Sequence, residues 1–152
     1  MPITKLQTGL ENQVYRDKDI AKILALIKAA SRLRSTTLIA IDGLSGAGKS
    51  TLVSHVLKEL KKNSTISVDD FYRPVKNNRL ESVIPEDRYD QYFDWQRLRD
   101  TVLSPLTKGV TARYGCHNWE LDRLTEWREV NPGGIAIVEG VYSTRPELRE
   151  FY

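Results

Sequence analysis

The sequence predicts an α/β fold: a parallel sheet sandwiched between helices. Three observations carry that prediction. Short apolar runs at Thr37–Ile41, Thr65–Val68 and Ile135–Val138 each stop at acidic residues. Stretches with apolar residues at helical spacing separate them. A glycine-rich loop, Gly43 to Gly48, stands between the first run and the next helical stretch. Strands that alternate with helices pair in parallel through crossovers. Sheets of that kind place ligands beyond the carboxyl ends of their strands.

The elements follow in order. Residues 1–16 read as an irregular arm, and 17–152 as one domain, a size that the 152 residues suit. From Asp17 to Arg34, Ile20, Ile23, Leu24, Ile27 and Leu33 mark the inner face of a helix. Thr37–Ile41 is a buried strand that ends in Asp42-Gly43. Leu52, Val53, Val56, Leu57 and Leu60 define a second helix, with His55 on its polar side. Thr65–Val68 is a second strand and stops at Asp69-Asp70. Residues 73–90, rich in proline and charge, read as a long loop. Asp94 caps a helix from Trp95 to about Leu106, with Leu98, Val102, Leu103 and Leu106 inward. Thr111–Val130 fits neither period cleanly; Trp119, Leu121, Leu124 and Trp127 are its candidates for burial. Asn131-Pro132-Gly133-Gly134 is a turn, Ile135–Val138 a third strand closed by Glu139-Gly140, and Pro146 opens a last helical stretch.

Composition narrows the function classes. No apolar run reaches the ~20 residues that span a bilayer, and Met1–Tyr15 lacks the basic and apolar regions of a signal peptide. Cys116 is the sole cysteine, so no internal disulfide forms, which fits a reducing cytoplasm. With His55 and His117 it makes a poor zinc set. The net charge of +3 comes from 23 basic and 20 acidic residues whose signs interleave. Nucleic-acid binding needs a basic stripe, and the sequence shows none.

Gly43-Leu44-Ser45-Gly46-Ala47-Gly48-Lys49-Ser50-Thr51 carries the chemistry. Its glycines let successive backbone N–H groups turn toward one point, and the following helix adds its positive end. Lys49 places a charge near the β- and γ-phosphates, and the Ser50 hydroxyl can ligate Mg²⁺. A loop of this pattern between a strand and a helix implies a nucleoside triphosphate site, with MgATP as the expected ligand. Asp42, Asp69-Asp70 and Glu139 arrive at the same end of the sheet.

Taken together, Gly43 to Thr51, Asp69-Asp70-Phe71-Tyr72-Arg73 and Val138-Glu139-Gly140 resemble the uridine kinase and phosphoribulokinase family of P-loop kinases. Weaker matches lie at Tyr89-Asp90, Phe93-Asp94 and Ala112-Arg113-Tyr114. The resemblance implies a P-loop NTPase three-layer sandwich and transfer of the γ-phosphate of ATP to a nucleoside hydroxyl. It assigns Asp69 to the acceptor hydroxyl, and leaves Asp70 a structural role. Glu139 joins Ser50 and Asp69 around Mg²⁺. The acceptor site would include Asp90, Tyr114 and His117, with Tyr72 and Arg73 beside Asp69. Gly115 departs from the pattern, since the eukaryotic-like enzymes have aspartate there.

The family core has five parallel strands in spatial order 2-3-1-4-5, of which this sequence supplies three. The expectation is a domain incomplete at its C-terminus, lacking the later strands and lid. The Leu38–Ile41 edge would then be open to self-association. Two further enzyme and non-enzyme readings stand beside the nucleoside kinase. One is a kinase for a sugar phosphate or pantothenate-like alcohol; the other is a non-catalytic nucleotide-binding module. A nucleic-acid-stimulated ATPase has the least in its favour.

Overall fold

The computed structural model describes residues 17–74 and 92–152. The first helix, α1 (Asp17–Ala30), leads to strand β1 (Thr36–Ile41). The glycine loop then feeds α2 (Lys49–Lys58), followed by β2 (Asn63–Ser67) and a 3₁₀ turn, Val68–Phe71. The third helix, α3, is one continuous run. Trp95–Leu98 is α-helical, Arg99–Leu103 forms a π turn and Ser104–Thr107 is α-helical again. Next come β3 (Ala112–Asn118), β4 (Arg123–Val130), β5 (Gly134–Glu139) and a 3₁₀ turn at Pro146–Phe151.

The π turn has a local cause. Pro105 has no N–H to give the carbonyl one turn back, and the widened turn lies immediately before it. Thr101 Oγ1 also donates to the Arg97 carbonyl at 2.7 Å, a backbone contact that loosens helical register.

The main sheet has the order β1-β5-β2, with both pairs parallel. This agrees with the 2-3-1 part of the expected order, β5 being the third sheet strand. Alternation along β5 splits the core into two layers. Ile135 and Ile137 face Leu24 and Ile27 of α1 and Val53 and Val56 of α2. Ala136 and Val138 face Leu98, Val102, Leu103 and Leu106 of α3, together with Tyr114 of β3. Helices on one side and α3 with β3 on the other make a three-layer sandwich.

Two expectations fail here for clear reasons. Leu33 is 85% exposed, because α1 ends at Ala30 and Leu33 lies in the turn beyond it. The segment 111–130 is an antiparallel hairpin, and Trp119, Leu121, Leu124 and Trp127 are 58, 52, 40 and 63% exposed. Cys116 pairs with Glu126 and His117 with Leu124, so Thr125 is an extra residue in β4. That bulge puts Leu124 and Trp127, three apart, on one face of a strand. In the sequence the same spacing imitates a helix.

Among the described residues β1 has no strand on its other edge. A groove of about 640 Å³ runs along it, lined in part by Leu26, Leu33, Thr37, Leu38 and Tyr152. Among the described residues no helix is long and apolar enough to cross a membrane.

Candidate active site

Sheet register brings the three strand ends level. Ile41 pairs with Glu139, and Glu139 pairs with Ser67 on its other side. One residue further on lie Asp42, Gly140 and Val68, so the glycine loop, the acidic end of β5 and the Asp69-Asp70 turn leave the sheet together. Gly140 makes this possible by close approach. A Cβ built on it would lie 2.5 Å from Val68 Cβ, so any side chain would push β2 away from β5.

The loop turns on Gly46 (φ 76°) and Gly48 (φ 81°), both in the left-handed region that glycine adopts without penalty. Gly43, Ser45, Gly46, Ala47 and Gly48 thus wrap the start of α2, where Lys49, Ser50 and Thr51 form its first turn. The leading N–H groups of any helix lack intrahelical acceptors. With glycine as the cap residue, no side chain competes for them here. Lys49 Nζ folds back to donate to the carbonyls of Gly43 (2.7 Å) and Leu44 (2.9 Å). Its charge thereby sits over the loop, held only by neutral oxygens.

Ser50 Oγ donates to Glu139 Oε2 at 3.4 Å. A hydroxyl and a carboxylate side by side at a helix N-terminus offer two hard oxygen donors. They fit Mg²⁺, which takes few protein ligands and completes its shell with phosphate oxygens and water. Among the described residues no group of three or more His, Cys, Asp or Glu side chains forms a metal cage, so phosphate oxygens would have to share the coordination.

The two aspartates after β2 separate cleanly. The Asp69 side chain is exposed at the sheet end, its N–H capped by Ser67 Oγ at 3.3 Å. Asp70 turns inward and pairs with Arg128 Nη1 at 2.9 Å. Burial raises the Asp70 pKa above its ordinary 3.8 even though Arg128 opposes the shift. Tyr72, half-buried, has its hydroxyl pKa raised by burial, then by the charge of Asp69 and by Tyr142.

Asp42 was placed near the loop by the sequence, but its task is visible only in three dimensions. Its carboxylate accepts from the Gly43 N–H (2.6 Å), the Tyr142 N–H (3.0 Å), and the Thr144 N–H (2.9 Å) and Oγ1 (2.6 Å). It ties the start of the loop to the segment after β5, where Tyr142 holds φ 72°. Burial works to raise its pKa, but the hydrogen bonds from Thr144, Gly43 and Tyr142 outweigh it, and the net shift is downward from 3.8. A depressed carboxylate contributes stability that is complete above its unfolded pKa and is lost as pH falls through the folded one. Tm should therefore drop below about pH 4, and Asp42→Asn should show a shallower drop there together with a Tm lower by about 3 °C or more at pH 7. Parallel acid slopes for the two proteins, read by thermal melts from pH 3 to 7, would remove Asp42 from this role.

The expected acceptor residues are distributed unevenly. Asp90 lies outside the described residues. Tyr114 is a core ring, 1% exposed and stacked on Phe71 at 5.0 Å, so it offers no open face to a ligand. The reason is pleat: Ala112, Tyr114 and Cys116 share the inward side of β3. His117 is also enclosed, with its side chain 0% exposed and Nε2 3.2 Å from Asp122 Oδ1. Trp119 packs over it at 4.9 Å and against Tyr72 at 4.8 Å. Arg73 is committed to Asp94 (3.1 Å) and Gln96 (2.9 Å). Gly115 is a packing glycine, since a Cβ there would lie 3.1 Å from Leu124 Cδ1.

A glycine loop at a strand end, running into a helix on a parallel β2-β5-β1 sheet, defines the P-loop NTPase fold. The solved structure of a possible uridine kinase from Bacillus stearothermophilus shares it, with a TM-score of 0.73 and 22% identity over 89% of this chain and 77% of that one. In sequence the chain is similar to uridine kinases. That of Ureaplasma parvum serovar 3 is 27% identical over 119 residues, covering 72% of this chain and 55% of the relative. That of Staphylococcus aureus (strain JH9) is 26% identical, with 73% and 55% covered. The 2-phosphoglycerate kinase of Pyrococcus horikoshii is 24% identical over 126 residues, with 82% and 42% covered. The chain spans about half the length of the curated relatives it matches. No family model matches it.

Proposed function

We propose that this chain carries the phosphate-transfer centre of a small-molecule kinase, which moves the γ-phosphoryl group of ATP to a hydroxyl of a nucleoside-class alcohol. The observation that carries the reading is the level exit of three strand ends. It sets Lys49 and the Ser50–Glu139 pair on one side and the exposed carboxylate of Asp69 on the other. The sequence similarity to uridine kinases supports it.

In this reading the loop N–H groups and Lys49 bind the triphosphate and neutralise charge that moves onto the β–γ bridge. Ser50 and Glu139, with Asp69 nearby, would hold Mg²⁺, which supplies further neutralisation of the phosphate oxygens when bound. Asp69 accepts the proton of the acceptor hydroxyl as its oxygen bonds to the γ-phosphorus. The bond from that phosphorus to the bridging oxygen breaks, and its electron pair leaves on ADP. Asp70, spent on Arg128, holds the turn that presents Asp69.

Acceptor-dependent release of ADP from MgATP, measured across uridine, cytidine, pantothenate and 2-phosphoglycerate, tests the proposal. Turnover with a nucleoside above the rest supports it. Turnover led by 2-phosphoglycerate would favour the second reading, which the similarity to a 2-phosphoglycerate kinase motivates. MgATP binding without turnover on any acceptor would mark a binding module. Self-association through the open edge of β1 is proposed alongside. Sedimentation velocity should show concentration-dependent association, and a monomer at all concentrations would reject it.

A further inference from the structure

Beside Asp69 an aromatic surface stands open that the motifs did not assign. The two rings that the resemblance offers to the acceptor, Tyr114 and His117, are both enclosed. The exposed ring is Trp119, 58% accessible at the tip of the β3–β4 hairpin. It is not a loose surface side chain. Tyr72 supports it at 4.8 Å and His117 at 4.9 Å, and Asp122 in turn steadies His117. Tyr72 follows the Asp69 turn directly and feels the Asp69 charge, so the supported indole and the carboxylate belong to one neighbourhood. An indole braced on two sides keeps its orientation and loses little freedom on stacking.

The charges nearby do not by themselves choose the acceptor. A phosphorylated acceptor needs cations to receive it. Among the described residues on this side, Arg73 is held by Asp94 and Gln96, and Arg128 by Asp70. Arg97 donates to the carbonyls of Gly115 (2.6 Å) and Asp70 (2.9 Å). These three guanidiniums are engaged within the fold, but Arg123, which faces Asn118 across the hairpin beside Trp119, presents an exposed charge. It is therefore the braced aromatic ring that distinguishes this surface.

We infer that Trp119 is a specificity-determining residue that stacks on the aromatic base of the acceptor, and that it selects an alcohol carrying such a base over one without it. The inference rests on the phosphotransfer reading of Asp69, and its test is read separately from that reading. Uridine, ribose and 2-phosphoglycerate are titrated into the whole chain in the presence of a non-hydrolysable ATP analogue. Binding is followed both by tryptophan emission and by calorimetry. Uridine should quench emission and bind tightest, ribose should bind more weakly with little quench, and 2-phosphoglycerate should bind more weakly than uridine and without quench.

Base stacking on an aromatic ring is lost on truncation, so Trp119→Ala should weaken uridine about 5- to 100-fold while leaving affinity for the ATP analogue unchanged. Trp119→Phe, which keeps a ring, should hold uridine affinity within about threefold and remove most of the quench. Trp127→Phe should leave the quench intact, since that indole packs on Arg113 at 5.3 Å instead. If Trp119→Ala melts early, the phenylalanine variant decides alone: retained affinity without the quench supports stacking, and a retained quench overturns it. Unaltered uridine affinity in a folded Trp119→Ala protein overturns the inference. So does 2-phosphoglycerate binding tighter than uridine, or no uridine binding at all. Intact binding of the ATP analogue in those cases leaves the triphosphate site standing. Failure of the analogue to bind would instead sink the kinase reading, whatever uridine does.

Discussion

Lys49→Ala should reduce affinity for ATP by about 100-fold or more while the chain stays folded. Hydrogen bonds from a charged group contribute about 1.5–3 kcal/mol each, and two such bonds to phosphate oxygens reach that loss. In the free chain the ammonium rests on the Gly43 and Leu44 carbonyls at 2.7 and 2.9 Å. These neutral acceptors can be exchanged for phosphate oxygens without breaking an ion pair. Removing the side chain leaves both carbonyls at a surface where water replaces it, so Tm should move by only a few degrees. Calorimetric titration of ATP into wild type and mutant, with a melt of each, separates lost charge from lost fold. An ATP affinity within threefold of wild type would reject the triphosphate site.

The second large effect concerns the aspartate pair. Asp69→Asn should preserve ATP affinity and lower acceptor-dependent ADP release by about 10²- to 10⁴-fold, the range that general-base catalysis supplies. The amide keeps the size and a hydrogen-bond acceptor but cannot take up a proton. Asp70→Asn should do less to transfer and more to the fold. Its carboxylate sits 2.9 Å from Arg128 Nη1, but that side chain is 51% exposed. Water screens the pair, and its contribution stays at about 1 kcal/mol or less. Turnover with Asp69→Asn at or above that of Asp70→Asn would reverse the assignment of the two residues.

The hairpin shows how an exposed aromatic residue escapes a sequence reading. Large apolar side chains are expected inside, and Trp119, Leu121, Leu124 and Trp127 alternate with charged residues that would equally line the outer side of a half-buried element. The true inward residues, Ala112, Tyr114 and Cys116, come from the neighbouring strand. Tyr114, with Cys116 and Asp70 close by, has its hydroxyl pKa pushed up to about 12, mainly by burial. Such a ring fills the core, while Trp119 stays accessible at the hairpin tip.

By itself the sequence determined everything that depends on neighbours along the chain. The strand, glycine loop and helix from Thr37 to Leu60 were legible because backbone curvature, apolar period and helix start are local properties. The third sheet strand and the inward face of α3 were legible for the same reason, and Asp94 caps α3 as its position suggests. Tertiary structure alone decided the rest. Asp42 became a staple through Tyr142 and Thr144, partners separated from it by 100 and 102 positions. One extra residue in β4 turned helical spacing into a strand face. Tyr114 is buried because its side of β3 meets α3, His117 because Trp119 and Asp122 enclose it on the other side, and Trp119 stays open at the hairpin tip. Contacts of that kind have no period along the chain, since they are fixed by packing between elements brought together only by folding.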